Sequence, residues 1–508
     1  MPTEIYEYLA AAHPAMKDPT EHQQETLDPA DWESMRALGH RIVDDAINYL
    51  RDVAKRPTWQ RVPEAVSAQF NEALPRQASA PEEIYEQFLN RIFPYAMGNT
   101  HPRFWAWYMG NGTAFGALAD FLAATMNSNV GAGSHVAMQV EAQVINWIKT
   151  LVNYPKTASG LLVGGASMAN LIGLGVARNS KAGFDMRAQG LFGANQELVI
   201  YASSEVHSCH QKAVELLGLG CNNLRKVPVN DDYQLDLRAL EILVRRDRDV
   251  GQRPICVIAT AGTVNTGAID PLAEIADFCA KEDLWFHVDG AIGGVAAGVE
   301  ELKDRLAALS RADSLALDLH KWMHMPFEVG CALIKDRRLH RNTFAVNPEY
   351  LVRGTRGLAS GSDWFSDYGL ELSRGFRALK VWMSIKEHGL DRYERIMARN
   401  LAQARYLADA ISRDNGLELM APVSMNIVCF RYKVPGADEQ VLDTLNGEIL
   451  LRIQEEGTAA PSGTTLRGRY CLRVAIVNHR SQLADFDLLL GEVKRLGGLL
   501  ASELNRKR

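Results

Sequence analysis

The feature that most constrains the fold is a series of short, unbroken apolar segments in the middle of the chain. Such a run, without in/out alternation, is typical of a strand buried on both faces of a parallel sheet. Helical stretches separate the runs, which predicts an α/β domain whose crossover helices cover a mainly parallel sheet. In such sheets ligands bind at the carboxyl ends of the strands. The five segments are Leu198–Ala202, Pro254–Ala259, Leu284–Val288, Ser314–Leu317 and Cys331–Ile334.

The regions on either side have other patterns, so we expect three parts. Residues 1–112 indicate a helical segment with proline-rich turns, residues 113–380 the large α/β domain, and residues 381–508 a small α+β domain. The helices and strands predicted in the first and last parts are Met35–Val53, Pro81–Ile92, Leu390–Ile411, Asn426–Tyr432 and Leu472–Val477.

Composition excludes several classes of function. With 47% hydrophobic residues, 23% charged residues and a net charge of −6, the chain resembles a soluble globular protein and lacks the basic excess of a nucleic-acid binder. No apolar stretch is long enough for a membrane span, so we expect no membrane association. Seven scattered cysteines without a CxxC pair predict neither a disulfide framework nor a zinc site. Since the N-terminus lacks signal-peptide features, we expect a cytoplasmic location.

A glycine turn leads from the predicted strand at residues 161–163 into a helix. Its sequence is Gly164-Gly165-Ala166-Ser167. Small residues let the backbone approach a phosphate, and a helix N-terminus offers free N–H groups. A tight turn with a serine cap is the other interpretation, and the motif alone favours it. The turn matches neither a dinucleotide-binding motif nor a P-loop.

Polar residues follow two further strands. His207, Cys209 and His210 could ligate a metal, but no second ligand pair follows at a suitable spacing, so zinc is not predicted. The imidazole of His207 could instead stack on a flat cofactor ring. Asp289 ends the run Leu284–Val288, where its burial requires a partner. That partner could be a pyridinium nitrogen, a ribose hydroxyl or a helix N-terminus.

Lys321 follows the apolar run Ser314–Leu317 and stands between His320 and Trp322. Burial lowers the pKa of a lysine amine, which frees the amine for Schiff-base chemistry. Taken alone, a lysine is more often a surface residue. The combination of an anion cradle, a ring-stacking histidine, a carboxylate and this lysine predicts a site for pyridoxal 5'-phosphate (PLP).

These motifs resemble those of the group II PLP-dependent decarboxylases, the family of the aromatic-L-amino-acid, histidine and glutamate decarboxylases. The resemblance extends from about residue 75 to the C-terminus. It implies the aspartate-aminotransferase type of fold (PLP fold type I) and an obligate homodimer with active sites between the subunits. The motifs that carry it are Gly164–Ser167, Ser204–His207, Thr260–Thr263, His287–Asp289 and His320–Trp322.

The resemblance also implies four catalytic roles. Lys321 would be the Schiff-base lysine, Asp289 the partner of the pyridine nitrogen, and His207 the residue that stacks on the ring. Tyr350 falls at the position of the family's loop tyrosine, which returns a proton to the α-carbon after CO2 leaves. The glycine-rich stretch 352–369 behind it fits a mobile lid.

Four residues would complete the cofactor site by the same resemblance. Ala166 and Ser167 would hold the phosphate with His320 nearby, and Thr263 would also bind the cofactor. Asp318 departs from the aromatic-acid members, which have an asparagine beside the phosphate. Either Asp318 faces away from the dianion or another group neutralises it.

The aromatic run Phe104–Tyr108 lies where the family builds its side-chain pocket. Trp105 and Trp107 favour a flat apolar substrate such as tyrosine, tryptophan or phenylalanine, although such aromatics also commonly pack in the core. Arg103 could instead pair with an acidic substrate. We therefore expect decarboxylation of an aromatic L-amino acid to its amine, with an acidic amino-acid decarboxylase as the alternative.

Other functions of the same fold fit the motifs less well. An aromatic aldehyde synthase usually alters the loop tyrosine or the stacking histidine, and here Tyr350 and His207 are both present. An aminotransferase would lack the sequence around Lys321. A catalytically silent binding protein would not need Lys321, Asp289, His207 and Tyr350 together.

Overall fold

The computed structural model describes residues 26–346, 353–361 and 363–507. The N-terminal segment contains helices α1 (Trp32–Arg51), α2 (Glu64–Ser67) and α3 (Pro81–Arg91), and α1 and α3 lie where the sequence predicts helices. The side chain of Asp31 caps α1 by accepting hydrogen bonds from the first-turn N–H groups. Proline at the start of α3 suits a position whose N–H has no partner within the helix.

A seven-stranded sheet forms the centre of the molecule, in the order β1-β7-β6-β5-β4-β2-β3. All of its neighbouring pairs are parallel except those of β7, which runs antiparallel to β1 and β6. The predicted mainly parallel sheet is therefore confirmed, and Cys331–Ile334 lies in the one reversed strand. The strands are β1 (Ser159–Val163), β2 (Leu198–Ser203), β3 (Leu224–Val227), β4 (Arg253–Thr260), β5 (Trp285–Asp289), β6 (Ser314–Asp318) and β7 (Gly330–Ile334).

Helices accompany this sheet along residues 114–388. The helix formed by Ala166–Lys181, labelled α6, packs on β4, β5, β6 and β7. It comes close because Gly173 faces the ring of His287, where a Cβ atom would lie 2.7 Å from the ring carbon Cε1. The helices are α4 (Ala114–Met126), α5 (Val136–Leu151), α6 (Ala166–Lys181), α7 (Met186–Gln189), α8 (Cys209–Leu216), α9 (Leu237–Asp249), α10 (Leu272–Lys281), α11 (Lys303–Leu306), α12 (Arg337–Phe344) and α13 (Ala378–His388).

The C-terminal part contains a four-stranded antiparallel sheet in the order β10-β11-β9-β8. This arrangement agrees with the small α+β domain that the sequence predicts. Its elements are α14 (Leu390–Ser412), β8 (Leu417–Leu419), β9 (Ile427–Tyr432), α15 (Glu439–Glu455), β10 (Ser462–Leu466), β11 (Arg469–Ala475) and α16 (Leu483–Lys507). Phe104 bridges to Ala460 in this part, so the segment before residue 112 also contacts it. The domain boundaries at residues 112 and 380 stay predictions.

A buried ion pair holds the strand that leads into the glycine turn. Arg374 donates from Nη2 to Glu141 Oε1 and to Leu162 O, each at 2.5 Å. Glu141 Oε1 also accepts a hydrogen bond from Leu162 N at 3.2 Å, so the ion pair binds both the N–H and the C=O of Leu162 in β1. Burial raises the pKa of Glu141, and Arg374 opposes that rise.

The described part of the chain contains no helix that is both long enough and apolar enough to cross a membrane. All seven cysteines are free, and six of them are buried.

Candidate active site

A cavity of about 710 Å³ lies where the central strands end. The register of the sheet places the ends of β4, β5 and β6 and the start of the antiparallel β7 at this edge, because Thr260 pairs with Asp289 and Asp318 pairs with Gly330. Ligand sites of α/β sheets form at this edge. The predicted site residues that line the cavity are Ala166, Ser167, His207, Asp289, His320, Lys321 and Trp107.

The glycine turn presents the N-terminus of α6 to this cavity. Gly165 has a φ of +150°, a backbone conformation that favours glycine. A Cβ atom on Gly330 would lie 2.7 Å from the Cα of Gly165, so β7 and the turn can only meet without side chains. Helix α6 begins at Ala166, whose N–H donates a hydrogen bond to Asp318 Oδ1 at 2.6 Å. The turn therefore has the geometry of an anion cradle.

Lys321 and Asp318 form an ion pair inside the cavity. Lys321 Nζ lies 3.0 Å from Asp318 Oδ2, with the lysine side chain 23% exposed and the aspartate 4% exposed. Asp318 therefore faces the cavity, and Lys321 balances its charge. The segment around Gly110 packs directly against the backbone of His320, since a Cβ atom on Gly110 would lie 1.9 Å from the carbonyl oxygen of His320.

His320 lies between this ion pair and the start of β7. Its Nε2 is 3.7 Å from Asp318 Oδ1, and its Nδ1 is 3.0 Å from Val329 O. Burial lowers the pKa of the His320 imidazole, and the nearby Asp318 carboxylate opposes this effect.

Asp289 lies at the end of β5 and is 5% exposed. Its Oδ2 lies 2.8 Å from His210 Nε2 and 3.1 Å from Asn170 Nδ2, and its Oδ1 accepts from Ala291 N at 3.1 Å. Burial disfavours the charged carboxylate, but the hydrogen bond from His210 and the charge of Lys321 outweigh it and hold the pKa of Asp289 well below its usual range. Asp289 is thus an ionised group in a buried position.

Sequence reasoning missed His210 and Asn170 as parts of this site. The sequence indicates His210 only as a possible metal ligand, and Asn170 lies four residues after Ala166, one helical turn into α6. Cys209, His210 and Asp289 do bring their ligand atoms within 4.8 Å of one another. Burial raises the pKa of the Cys209 thiol to about 12, which disfavours the thiolate that binds metals.

The ring of His207 forms another part of the cavity wall. Its Nδ1 accepts a hydrogen bond from Cys209 N at 3.2 Å, so in the neutral ring the proton is on Nε2. Loss of solvation lowers the pKa of His207, which favours this neutral form.

Thr263 does not reach the cavity. It is fully buried, and its Oγ1 lies 3.1 Å from Thr266 Oγ1 and accepts from Ala268 N at 3.1 Å. The hydroxyl stabilises the loop after β4, and Thr260 and Gly262 line the cavity instead. The expected contact of Thr263 with a cofactor is therefore not supported.

Arg103 and Trp105 also lie away from the cavity. The indole of Trp105 is buried, stacks on Phe486 at 5.0 Å and donates to Ser481 Oγ at 3.0 Å. Arg103 donates from Nε to Thr458 O at 2.7 Å. Both side chains stabilise the contact with the C-terminal part, so of the three expected pocket residues the structure places only Trp107 at the cavity. Tyr350 lies outside the described residues.

Residues 63–433 match the Pyridoxal-dependent decarboxylase conserved domain. The chain is 33% identical over 473 residues to aromatic-L-amino-acid decarboxylase of Bacillus atrophaeus, which covers 91% of this chain and 95% of that protein. It is 28% identical to phenylacetaldehyde synthase of Petunia hybrida, over 89% of this chain and 91% of that protein.

A similar fold is known from a crystal structure of TDC from Oryza sativa with PLP and tryptamine. The two structures superimpose with a TM-score of 0.86 at 26% identity, over 94% of this chain and all of that one. The predicted PLP fold type I is confirmed.

Replacing Asp318 by asparagine tests how its carboxylate affects the anion cradle. Asp318 and a phosphate would repel each other and compete for the same helix N-terminus, so Asp318→Asn should bind PLP about tenfold more tightly. A fluorescence titration of cofactor-stripped protein measures the affinity. Asp336→Asn is the matched control, because Asp336 accepts hydrogen bonds from the first N–H groups of α12 and is not among the residues that line the cavity. Unchanged or weaker binding by Asp318→Asn would mean that its ion pair with Lys321 matters more than the repulsion.

Proposed function

The chain belongs to the pyridoxal-dependent decarboxylase family, and we propose that its substrate is an aromatic L-amino acid, released as the amine and CO2. It is a PLP-dependent amino-acid decarboxylase. The observation that carries the proposal is the position of Lys321, Asp289 and the N-terminus of α6 around one cavity.

The residues of this cavity fit PLP at three separate points. PLP supplies an aldehyde that a lysine amine can bind and a ring that accepts electrons when a carboxylate leaves the substrate. We propose that Lys321 binds the aldehyde and that the first turn of α6, with Ala166 and Ser167, holds the phosphate. Asp289 would pair with the ring nitrogen, a role that requires the ionised carboxylate described above.

Two further residues take roles beside the ring. We propose that His207, whose neutral imidazole lines the cavity, stacks on the cofactor and excludes water from the substrate. Tyr350 would return a proton to the α-carbon, an assignment that rests on its position in the sequence and on the family resemblance.

The cavity wall supports an aromatic substrate better than an acidic one. Its apolar lining can contact a flat side chain. Two carboxylates, Glu328 and Glu371, also line it, and Arg377 lies 3.4 Å from the first and 2.9 Å from the second. Their charges would repel a glutamate or aspartate side chain. The apolar lining residues are Trp107, Tyr108, Met109, Ile292 and Phe327.

Aldehyde formation is the second candidate, because the similar Petunia protein is a phenylacetaldehyde synthase. The presence of His207 and Tyr350 favours release of the amine instead.

The exposed apolar surface supports a homodimer, which we propose as the active form. Phe121 on α4 is 64% exposed, with Leu122 and Met126 exposed on the same helix. Trp107 is 60% exposed although it lines the cavity, so a partner subunit could cover it and complete the site. Clustered exposed apolar side chains of this kind mark interaction surfaces.

We also propose the reducing cytoplasm as the compartment of this protein. The seven free cysteines support this. Labelling of all seven thiols in freshly extracted, unfolded protein would agree with it, whereas a disulfide would not.

Purified protein should convert tryptophan, tyrosine or phenylalanine to equal amounts of amine and CO2. Glutamate and aspartate should react with a kcat/KM at least about a hundredfold lower, because their side chains would place an unpaired negative charge in the cavity. Chromatography of the amines together with CO2 release measures both. Lys321→Ala should abolish turnover and keep the fold, whereas Lys335→Ala, which changes an exposed lysine, should not differ from the parent. Faster turnover of the acidic substrates would contradict the proposal.

Removing the hydroxyl of Tyr350 tests the proton donor. Tyr350→Phe should lose amine formation and release aldehyde, CO2, ammonia and peroxide with an aromatic substrate, oxygen and water, because no residue would return a proton to the α-carbon in time. Aldehyde and peroxide assays beside amine analysis measure the partition. Tyr406→Phe, at an exposed tyrosine that contacts Asp487, is the matched control. Amine formation by Tyr350→Phe at the parent rate would assign the donor to another residue.

A charge placed on the apolar surface of α4 tests the dimer. Phe121→Asp should shift the mass in solution from two chains to one, because an unpaired carboxylate would be buried at the contact. Light scattering after size exclusion measures the mass. Phe192→Asp provides the control, since Phe192 is fully exposed in a short 3-10 helix, Gly190–Gly193, outside α4. A monomeric parent protein, or an unchanged dimer in Phe121→Asp, would rule out this interface.

A further inference from the structure

Asp289 accepts hydrogen bonds from two buried side chains on the side away from solvent. A carboxylate has about four lone-pair positions. His210 and Asn170 occupy both positions on Oδ2, at 2.8 Å and 3.1 Å, and Ala291 N occupies one on Oδ1. One position on Oδ1 is left for a group in the cavity that Asp289 lines.

The contact from Asn170 belongs to a chain of hydrogen bonds with a defined direction. Because the carboxylate can only accept, Asn170 donates from Nδ2 and turns its Oδ1 to His287 Nε2 at 2.8 Å. That oxygen also only accepts, so the proton of the ring is on Nε2. Burial lowers the pKa of His287 to about 3, so the ring is neutral and its Nδ1 accepts from Ser314 at 2.7 Å. Ser314 in turn accepts from Trp285 Nε1 at 2.7 Å.

His210 supplies the other donor, and it does so from a different element. It lies in α8, its side chain is fully buried, and its Nδ1 has no hydrogen-bond partner among the residues that the structure describes. Burying an imidazole nitrogen without a partner is unfavourable. Among the described residues, Asp289 is thus the hydrogen-bond partner of the His210 side chain. An apolar residue at this position would pack without the cost of burying an unpaired Nδ1.

We propose that His210 is a positioning residue for the cofactor ring. Its Nε2–H holds Oδ2 of Asp289, so that the ionised carboxylate presents Oδ1 to the ring nitrogen and keeps that nitrogen protonated. Asn170, oriented by His287, supports the same oxygen. The inference rests on the proposed function, because it takes Asp289 as the partner of the ring nitrogen.

The test compares two cofactor forms on four variants. The probes are PLP and its 1-deaza analogue, in which a carbon replaces the ring nitrogen and cannot bind Asp289. His210→Leu removes the donor, and His210→Gln keeps an N–H near the same place. His340→Leu is the matched control, because His340 is also fully buried and makes one side-chain hydrogen bond, to Ser159. Asp289→Asn tests the partner of the ring nitrogen itself.

Affinity for each probe is measured by titrating cofactor-stripped protein, and the visible absorption of bound PLP is recorded against pH. His210→Leu should bind PLP about tenfold or more weakly and show a lower pH for loss of the ring-protonated absorption. His210→Gln should remain within about threefold of the parent, since one donor is retained. The deaza analogue should bind the parent and both His210 variants equally, and His340→Leu should bind both probes as the parent does.

Two results would overturn the inference. His210→Leu could bind PLP as tightly as the parent, or it could lose PLP and the deaza analogue by the same factor, which would make His210 a packing residue only. Asp289→Asn separates this from failure of the proposed function. If Asp289→Asn weakens the binding of PLP and of the analogue by the same factor, Asp289 does not bind the ring nitrogen and the proposed site is wrong. If Asp289→Asn weakens the binding of PLP more than that of the analogue while His210→Leu affects both alike, the role of His210 alone is wrong.

Discussion

The rest of the site depends on one constraint, the burial of an ionised carboxylate at the end of β5. A charge removed from water is strongly unfavourable unless hydrogen bonds and an opposite charge compensate it. Asp289 obtains its compensation from α8 through His210, from α6 through Asn170 and from its own strand end through Ala291. Three separate segments must therefore be in place before the carboxylate is stable. This requirement ties the chemistry of the site to the packing of the central sheet.

Close approach of the backbone makes that packing possible. Helix α6 can reach β5 and β6 because Gly173 has no side chain to strike the ring of His287, and that ring then orients Asn170. At the other end of the cavity Gly165 and Gly330 allow the turn before α6 to touch β7. Both contacts direct polar groups of α6 into the cavity. The helix thus supplies an anion cradle with its N-terminus and a hydrogen-bond donor one turn later.

A second pair of charges balances the opposite side of the cavity. Asp318 and Lys321 neutralise each other across 3.0 Å, and Asp318 also accepts from the first N–H of α6. A phosphate bound at that helix, as we propose, would share the N-terminus with a carboxylate, which would link cofactor binding electrostatically to the Asp318–Lys321 pair. Glu328 and Glu371 add further negative charge to the wall, with Arg377 between them. These carboxylates are the reason why we propose a substrate whose side chain carries no negative charge.

The sequence alone determined the parts that follow from local patterns. Unbroken apolar runs predicted the strands. The positions of Asp289 and Lys321 after two of these runs predicted that both line one site, because a parallel sheet collects its strand ends at one edge. Tertiary structure decided what depends on contacts between distant segments. Trp105 and Arg103 stand beside Trp107 in the sequence, yet they contact Ser481 and Thr458 in the C-terminal part. Thr263 stabilises its own loop, and His210 meets Asp289 across 79 positions of the chain. No local periodicity encodes such pairs, since they form only when the sheet register and helix packing bring separate segments within hydrogen-bond distance.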